Sequence, residues 1–382
     1  MLTVLYHDAY LTYDFGPGHP FSPLRQRLLV SALEALGVAR QGFVAPPMAS
    51  RVDVLGVHDA DFVEAIERAS GGEQWAGMES YGLGTGDVPA FAGMDEATRV
   101  LVGGTLEGAR RIAHAGARRV LTLGGGLHHA HRGYASGFCV YNDHGVAIRH
   151  LRAAGLRVAY VDVDVHHGDG VQALFYDDPD VLTVSLHETG RTLFPGTGGI
   201  EEMGRGPGRG AALNVPLLPG TADESYLDCF ERTVPHALAW FRPDVLVVEA
   251  GADAHRFDPL AHLALSSHAF ETLFRRLVAL ADEHCGGRML VTLGGGYHLD
   301  SAPRVWTLLY HVLAGKELLE RMPEAWRREW QGRVSVHLSE ALHDAPARPS
   351  APGVTEGNQE TVRRLMERAA AVWMGNCEVG RM

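Results

Sequence analysis

The chain has 382 residues, 46% of them apolar, and 34 Lys and Arg stand against 46 Asp and Glu for a net charge of −12. That length and composition suit a large globular core, and the lack of any basic run argues against a clustered cationic face for nucleic acid. No stretch reaches the ~18 consecutive apolar residues of a membrane span, and no basic segment followed by a long apolar one opens the chain, so the expected setting is the cytoplasm, with no membrane partner.

The predicted elements begin with a strand at residues 2–6, followed by a polar loop. Helical periodicity covers 24–36, with Ser22 as N-cap, Pro23 in the first helical position and Gly37 as the stop. A helix over 59–69 leads into a glycine-rich stretch, 70–94, read as a long surface loop that ends its Gly-Leu-Gly-Thr-Gly segment on Asp87. A long helix is expected over 95–115. Cys139, Cys229, Cys285 and Cys377 show no C-x-x-C spacing and read as reduced thiols, not a disulfide frame.

One pattern then recurs. Val120-Leu-Thr-Leu runs into Gly124-Gly-Gly-Leu-His128-His129, Val245-Leu-Val-Val into Glu249-Ala-Gly-Ala-Asp253, and Met289-Leu-Val-Thr-Leu into Gly294-Gly-Gly-Tyr297-His298. Each is a short apolar strand that ends near glycine and then presents a reactive side chain. Neither triple-glycine run carries the Lys-Ser/Thr or the G-x-G-x-x-G spacing of a phosphate loop; glycine here lets the backbone turn sharply beside a ligand. Helical segments at 142–154, 223–240, 267–285 and 300–314 separate the strands, which implies a parallel sheet with right-handed crossovers. In such sheets ligands bind beyond the carboxyl ends of the strands.

A fourth case is the most informative. Residues 158–170 start as an apolar, β-branched run and then place Asp162, Asp164 and His166 two apart with valines between them. Side chains two apart on a strand share a face, and unpaired buried charge is very unfavourable, so this group needs a cation or a dense set of partners. A carboxylate and an imidazole at this spacing can hold one metal ion, zinc being the usual choice for a mixed nitrogen and oxygen set. Beyond residue 315, helices are expected over 323–332 and 359–374, joined by an irregular connector over 343–358.

Taken together, His19-Pro to Arg25, the loop ending on Asp87, Gly-Gly-Gly-Leu-His128-His129, Ala135-Ser-Gly-Phe-Cys139, the 162–170 element, Val184-Ser-Leu-His187, Phe194-Pro-Gly-Thr-Gly198, Gly251-Ala-Asp253 and Gly294-Gly-Gly-Tyr297 resemble the zinc-dependent histone deacetylase family, including its bacterial acetoin-utilisation members. The resemblance implies an α/β, arginase-like three-layer domain with a central, mainly parallel sheet over residues 1–320, followed by a helical extension over 321–382. It implies Asp164, His166 and Asp253 as ligands of Zn²⁺ or Fe²⁺. It makes His128 and His129 the proton-moving pair, with Asp162 and Asp169 behind them, and Tyr297 the donor to the reacting carbonyl. Gly137, Phe138 and Phe194 would line a narrow tube, with Leu260 at its mouth and Asp87 at the rim; Arg25 would belong to an internal acetate-exit region. Structural K⁺ would be held at Asp162, Ser185 and Leu186, and at Phe175, Asp178 and Val181. His7, His131, His144, His167, His187 and His298 receive no catalytic role.

The activity implied is hydrolysis of N-ε-acetyl-lysine in a protein or peptide, an acyl-CoA synthetase being one acetylated partner the resemblance suggests. Two other readings are an acetylpolyamine amidohydrolase and a silent acyl-lysine reader. A silent reader should lack a ligand or the tyrosine, and this chain lacks neither.

Overall fold

The computed structural model describes residues 1–379, and the side chains of all but 376–379. Seven strands, β1 (Leu2–Leu5), β2 (Arg119–Thr122), β3 (Val158–Asp162), β4 (Val181–Glu188), β5 (Ala212–Leu217), β6 (Val245–Glu249) and β7 (Met289–Thr292), pair in parallel in the order β1-β2-β7-β6-β3-β4-β5. Helices cover both faces, which is why β3 is apolar at consecutive positions where a half-exposed strand would alternate. Val158 and Tyr160 turn to one cluster, with Ala109 and Ile112 of helix Met94–His114 and Ile148 and Leu151 of helix Asp143–Ala153. Ala159 and Val161 turn to the other, with Phe230, Leu238 and Phe270.

The strand order positions the site. β2, β7, β6 and β3 are consecutive neighbours in the sheet, and all run the same way. The segments that follow them, with His128 and His129, Tyr297, Asp253, and Asp164 and His166, therefore leave one edge side by side.

Several expectations shift. Pro23, not Ser22, is the N-cap of helix Leu24–Ala35, and Ser22 Oγ accepts the Leu24 N–H from just outside it. The helix expected over 223–240 is two, Asp223–Glu231 and Val234–Phe241; Pro235 has no N–H to continue the first, so the chain breaks before it. β4 and β5 are strands where none is expected. In β4 the buried Thr183, Ser185, His187 and Glu188 interrupt the apolar pattern; Ser185 Oγ lies 2.8 Å from His187 Nδ1 on the same strand, while His187 Nε2 and Glu188 are met by Gly198 and His262 from outside it. The last helix spans Pro352–Val379, so regular structure starts inside the predicted connector. Cys139, Cys229 and Cys285 are free and buried; the side chain of Cys377 lies outside the described residues.

The segment after residue 320 packs onto the body. Trp326 is fully buried and its Nε1–H donates to the Leu28 carbonyl at 2.9 Å. Val362, Leu365 and Ala369 of the last helix join the main core, and that helix lies on β5.

Candidate active site

β3 ends at Asp162, so Asp164 and His166 do not alternate along a strand. Two side-chain bonds replace the ladder. The Asp164 N–H donates to Asp162 Oδ1 at 3.0 Å, and the His166 N–H donates to Asp164 Oδ1 at 2.9 Å. These short loops turn the chain so that the three side chains separate: Asp162 faces His128, while Asp164 and His166 face Asp253.

Asp164, His166 and Asp253 are buried, and one potential donor atom from each lies within 4.8 Å of the others. His166 Nδ1 stands 3.1 Å from Asp164 Oδ1 and 3.1 Å from Asp253 Oδ2. The remaining carboxylate oxygens are already used: Asp164 Oδ2 accepts from the Gly295 N–H at 2.7 Å and Asp253 Oδ1 from the Val165 N–H at 2.9 Å. Gly295 must be glycine, since a Cβ there would sit 2.0 Å from Asp253 Oδ2. Burial and the charge of Asp164 push Asp253 up to about 7, and the two carboxylates outweigh burial to hold His166 up at about 10. Two buried acids converging on one imidazole nitrogen call for a cation between them, and the donor set, two oxygens and one nitrogen, fits a divalent zinc- or iron-like ion.

The histidine pair stands beside this triad. His128 Nδ1–H donates to Asp162 Oδ2 at 2.8 Å, and His129 Nδ1–H to Asp169 Oδ1 at 2.6 Å. Each carboxylate fixes its ring so that Nε2 is the atom left for chemistry. The two rings are pulled in opposite directions. Burial opposes protonation of both, but Asp162 and Asp164 outweigh it at His128 and raise it to about 9. At His129, burial and the neighbouring charge of His128 win and lower it to about 4.

Above them opens a cavity of about 250 Å³, lined by Asp87, His129, Gly137, Phe138, His166, Leu193, Phe194, Leu260 and Tyr297. The His129 and Phe194 rings meet edge-to-face at 5.0 Å, and Phe138 and Tyr297 at 5.9 Å. Gly137 has φ +55°, and a Cβ on it would lie 2.2 Å from His129 Cδ2.

A histone deacetylase domain profile matches residues 19–313, and the acetoin utilization protein AcuC of Bacillus subtilis (strain 168) is 42% identical over 370 residues, 95% of this chain and 96% of that protein. The chain belongs to the histone deacetylase family. Its AcuC-type relatives include that of Staphylococcus xylosus, 36% identical over 341 residues, 87% of this chain and 88% of that protein. A crystal structure of an HDAC homolog complexed with SAHA superposes with a TM-score of 0.86 at 27% identity, covering 95% of this chain and 99% of that one. The HDA15 HD domain gives 0.73 at 31% identity, with 82% and 91% covered. The protein is thus a deacetylase-family hydrolase on the arginase-like fold, and no helix among its described residues is long and apolar enough to cross a membrane.

In this deacetylase Asp87 does something the sequence does not suggest: its Oδ2 accepts the Gly137 N–H at 2.7 Å, tying the glycine-rich loop to the tube wall. Arg25 is buried behind the tyrosine, with its guanidinium 5.1 Å from the Tyr297 ring centre and Nη1 donating to the carbonyls of Gly294 at 3.3 Å and Gly296 at 2.9 Å. Ser185 lies directly across from Asp162 on β4, next to Leu186. Phe175 and Asp178 lie in the turn leading into that strand, which Val181 opens, and the Phe175 carbonyl accepts the Asp178 N–H at 3.0 Å. The first group adjoins the triad, since Asp162 Oδ1 accepts the Asp164 N–H at 3.0 Å. Other participants are missed altogether. Leu193 lines the tube. His131 Nε2 lies 3.0 Å from Asp169 Oδ2, so the carboxylate behind His129 is shared by two imidazoles. Tyr160 Oη lies 2.7 Å from Asp162 Oδ2 and 3.0 Å from Glu249 Oε2; a glutamate closing the apolar run of β6 is the one signal that pointed to it. Asp258 accepts the Tyr297 N–H at 2.7 Å, and nothing in its Asp-Pro-Leu context marks it.

Proposed function

We propose that the protein is a metal-dependent deacetylase that hydrolyses the amide of N-ε-acetyl-lysine in a protein or peptide to lysine and acetate. The observation that carries this reading is the floor of the cavity: the Asp164, His166 and Asp253 donors, two histidines backed by carboxylates and a tyrosine meet at the end of a narrow aromatic tube. Zn²⁺ or Fe²⁺ held by Asp164, His166 and Asp253 would supply Lewis acidity, polarising the acetyl carbonyl and acidifying water. Gly137, Phe138, Phe194 and Leu193 take the four-carbon stem of lysine and keep bulk water from it. His129, neutral and with Nδ1–H locked on Asp169, accepts the water's proton at Nε2. His128, held as imidazolium on Asp162, presents an Nε2–H to the reacting centre, and the amine leaves protonated. The Tyr297 hydroxyl donates to the carbonyl oxygen as it becomes an oxyanion. Arg25, beneath the tyrosine, would attract the acetate product, and K⁺ at the β3–β4 positions and in the turn before β4 would brace the loop ahead of the triad. The AcuC resemblance favours an acetylated metabolic protein, an acyl-CoA synthetase for example, as partner.

Asp87 separates peptide from polyamine substrates. Its carboxylate is half-buried at the cavity, and lone pairs beyond the one taken by Gly137 can accept backbone N–H groups of a peptide, which a free polyamine does not have. The test is the kcat/KM ratio of an acetyl-lysine peptide to acetylputrescine, with and without chelator, in wild type and Asp87→Ala. Loss of the wall tether alone would lower both substrates together. A selective fall for the peptide, up to about 1.5–3 kcal/mol per charged hydrogen bond, supports the lysine reading; a wild-type preference for acetylputrescine overturns it.

A further inference from the structure

We propose that Asp344, from the segment beyond the catalytic motifs, is a positioning residue that sets the loop carrying Asp253 and anchoring Tyr297; this rests on the site reading above. The loop between β6 and helix Ser267–Cys285 has two tasks. Asp253 faces His166. Five residues on, the buried Asp258 accepts the Tyr297 N–H at 2.7 Å through Oδ2 and the Leu260 N–H at 3.0 Å through Oδ1. The same loop therefore places a candidate metal ligand, the backbone of the oxyanion donor and a residue of the tube mouth.

His255 sits between these two ends. Its N–H donates to the Ala252 carbonyl at 3.2 Å, and its carbonyl accepts the Asp258 N–H at 2.8 Å. The ring is buried. Nδ1 accepts the Phe257 N–H at 3.3 Å, so the ring proton is on Nε2, and that N–H donates to Asp344 Oδ2 at 2.6 Å. Asp344 is itself held firmly. Oδ2 also accepts the Ser267 N–H at 3.0 Å, Oδ1 accepts from Arg304 Nη2 at 2.8 Å, and its own N–H donates to Ser267 Oγ at 2.7 Å. Arg304 is fully buried and bound in turn to Asp300 at 2.8 Å. A carboxylate fixed by a guanidinium and an amide is a rigid point from which to orient an imidazole. It clamps the middle of a loop whose two ends must both be placed to within a fraction of an ångström.

The experiment uses the full chain. Zinc affinity is measured by adding Zn²⁺ to metal-stripped protein against a chromogenic chelator, and kcat and KM are measured on the acetylated amide that wild type turns over best. Asp344→Ala and His255→Ala should each weaken zinc binding and lower kcat by roughly 10–100-fold, with KM within about twofold. The double variant should be no worse than either single one, since both break one connection. His255→Gln, whose amide can reach Asp344, should recover most of the loss. Trp330→Phe removes a different bond of the same C-terminal segment, from Trp330 Nε1–H to Ser31 Oγ at 2.9 Å, without touching Asp344 or His255; it should lower Tm and leave zinc affinity and kcat unchanged. Wild-type zinc affinity and kcat in a folded Asp344→Ala variant overturns the proposal, as do additive losses in the double variant or equal losses in Trp330→Phe. If Asp344→Ala does not fold, His255→Ala and His255→Gln decide alone. Should wild type hydrolyse no acetylated amide, the proposed function falls, and the zinc titrations still judge Asp344.

Discussion

Replacing Tyr297 by Phe isolates one hydroxyl. The ring's surroundings do not depend on it: Phe138 meets the ring edge-to-face at 5.9 Å, the Arg25 guanidinium lies 5.1 Å from its centre, and the backbone N–H is held by Asp258 at 2.7 Å. Among the described residues no hydrogen bond from the hydroxyl to another protein group is seen, so Phe leaves no buried partner unsatisfied and Tm should move by no more than about 1 °C. Burial pushes the phenol well above its usual value, so the hydroxyl keeps its proton, and its ability to donate, across the neutral range. Loss of a single oxyanion donor lowers kcat by about 10²–10³, or ~2.7–4 kcal/mol of transition-state stabilisation. Because that bond strengthens as charge develops on the oxygen, the loss should fall on kcat and leave KM nearly unchanged. Steady-state kinetics on an acetyl-lysine peptide, with zinc content measured on the same preparations, decide the matter. A Tyr297→Phe enzyme with full metal and a kcat within threefold of wild type would refute the role; so would a loss expressed wholly in KM.

Three further outcomes are expected. Asp253→Ala removes one of three donors and should purify with little Zn²⁺ by atomic emission and little activity; a variant carrying full metal and full activity means the ligands lie elsewhere. Gly137→Ala places a Cβ 2.2 Å from His129 Cδ2 on a backbone with φ +55°, so it should displace His129 and lower kcat by at least about tenfold; an unchanged kcat shows that the wall can yield. His58 gives a pH effect away from the triad. Its Nδ1–H donates to the His131 carbonyl at 2.9 Å and its Nε2 accepts the Asn142 N–H at 3.0 Å, and burial lowers it from 6.5 to about 4. In that interval the unfolded chain binds a proton that the fold refuses, so stability is full above pH 6.5 and falls toward pH 4. At about 1.4 kcal/mol per pH unit the loss is at most ~3.5 kcal/mol. Urea midpoints at several pH values should show this slope flatten in His58→Leu, and an unchanged slope assigns the acid sensitivity to another group.

Much of this protein was legible along the chain because its chemistry follows a repeated local rule. An apolar strand, a glycine turn and a reactive side chain are all readable within a dozen residues, so the parallel arrangement, the motifs of the candidate site and the cation-seeking acids could be found from local pattern. What local pattern cannot carry is pairing across the fold. β4 was hidden because its His187 and Glu188 are met by groups outside the strand, His187 by the Gly198 carbonyl and Glu188 by Thr192 and His262. Asp87 reads as a turn residue until Gly137 arrives against it. Asp258 and Asp344 are ordinary loop acids in sequence, and only the tertiary structure gives one the Tyr297 backbone and the other the His255 ring. Local pattern was enough for the parallel arrangement, the motifs and the types of donor, though not for β4 and β5. The strand order alone decided that four motifs share one edge, and the balance of burial against neighbouring carboxylates sets the direction in which each imidazole shifts, because a hydrogen bond between distant residues and the exclusion of water around it exist only once the chain has packed.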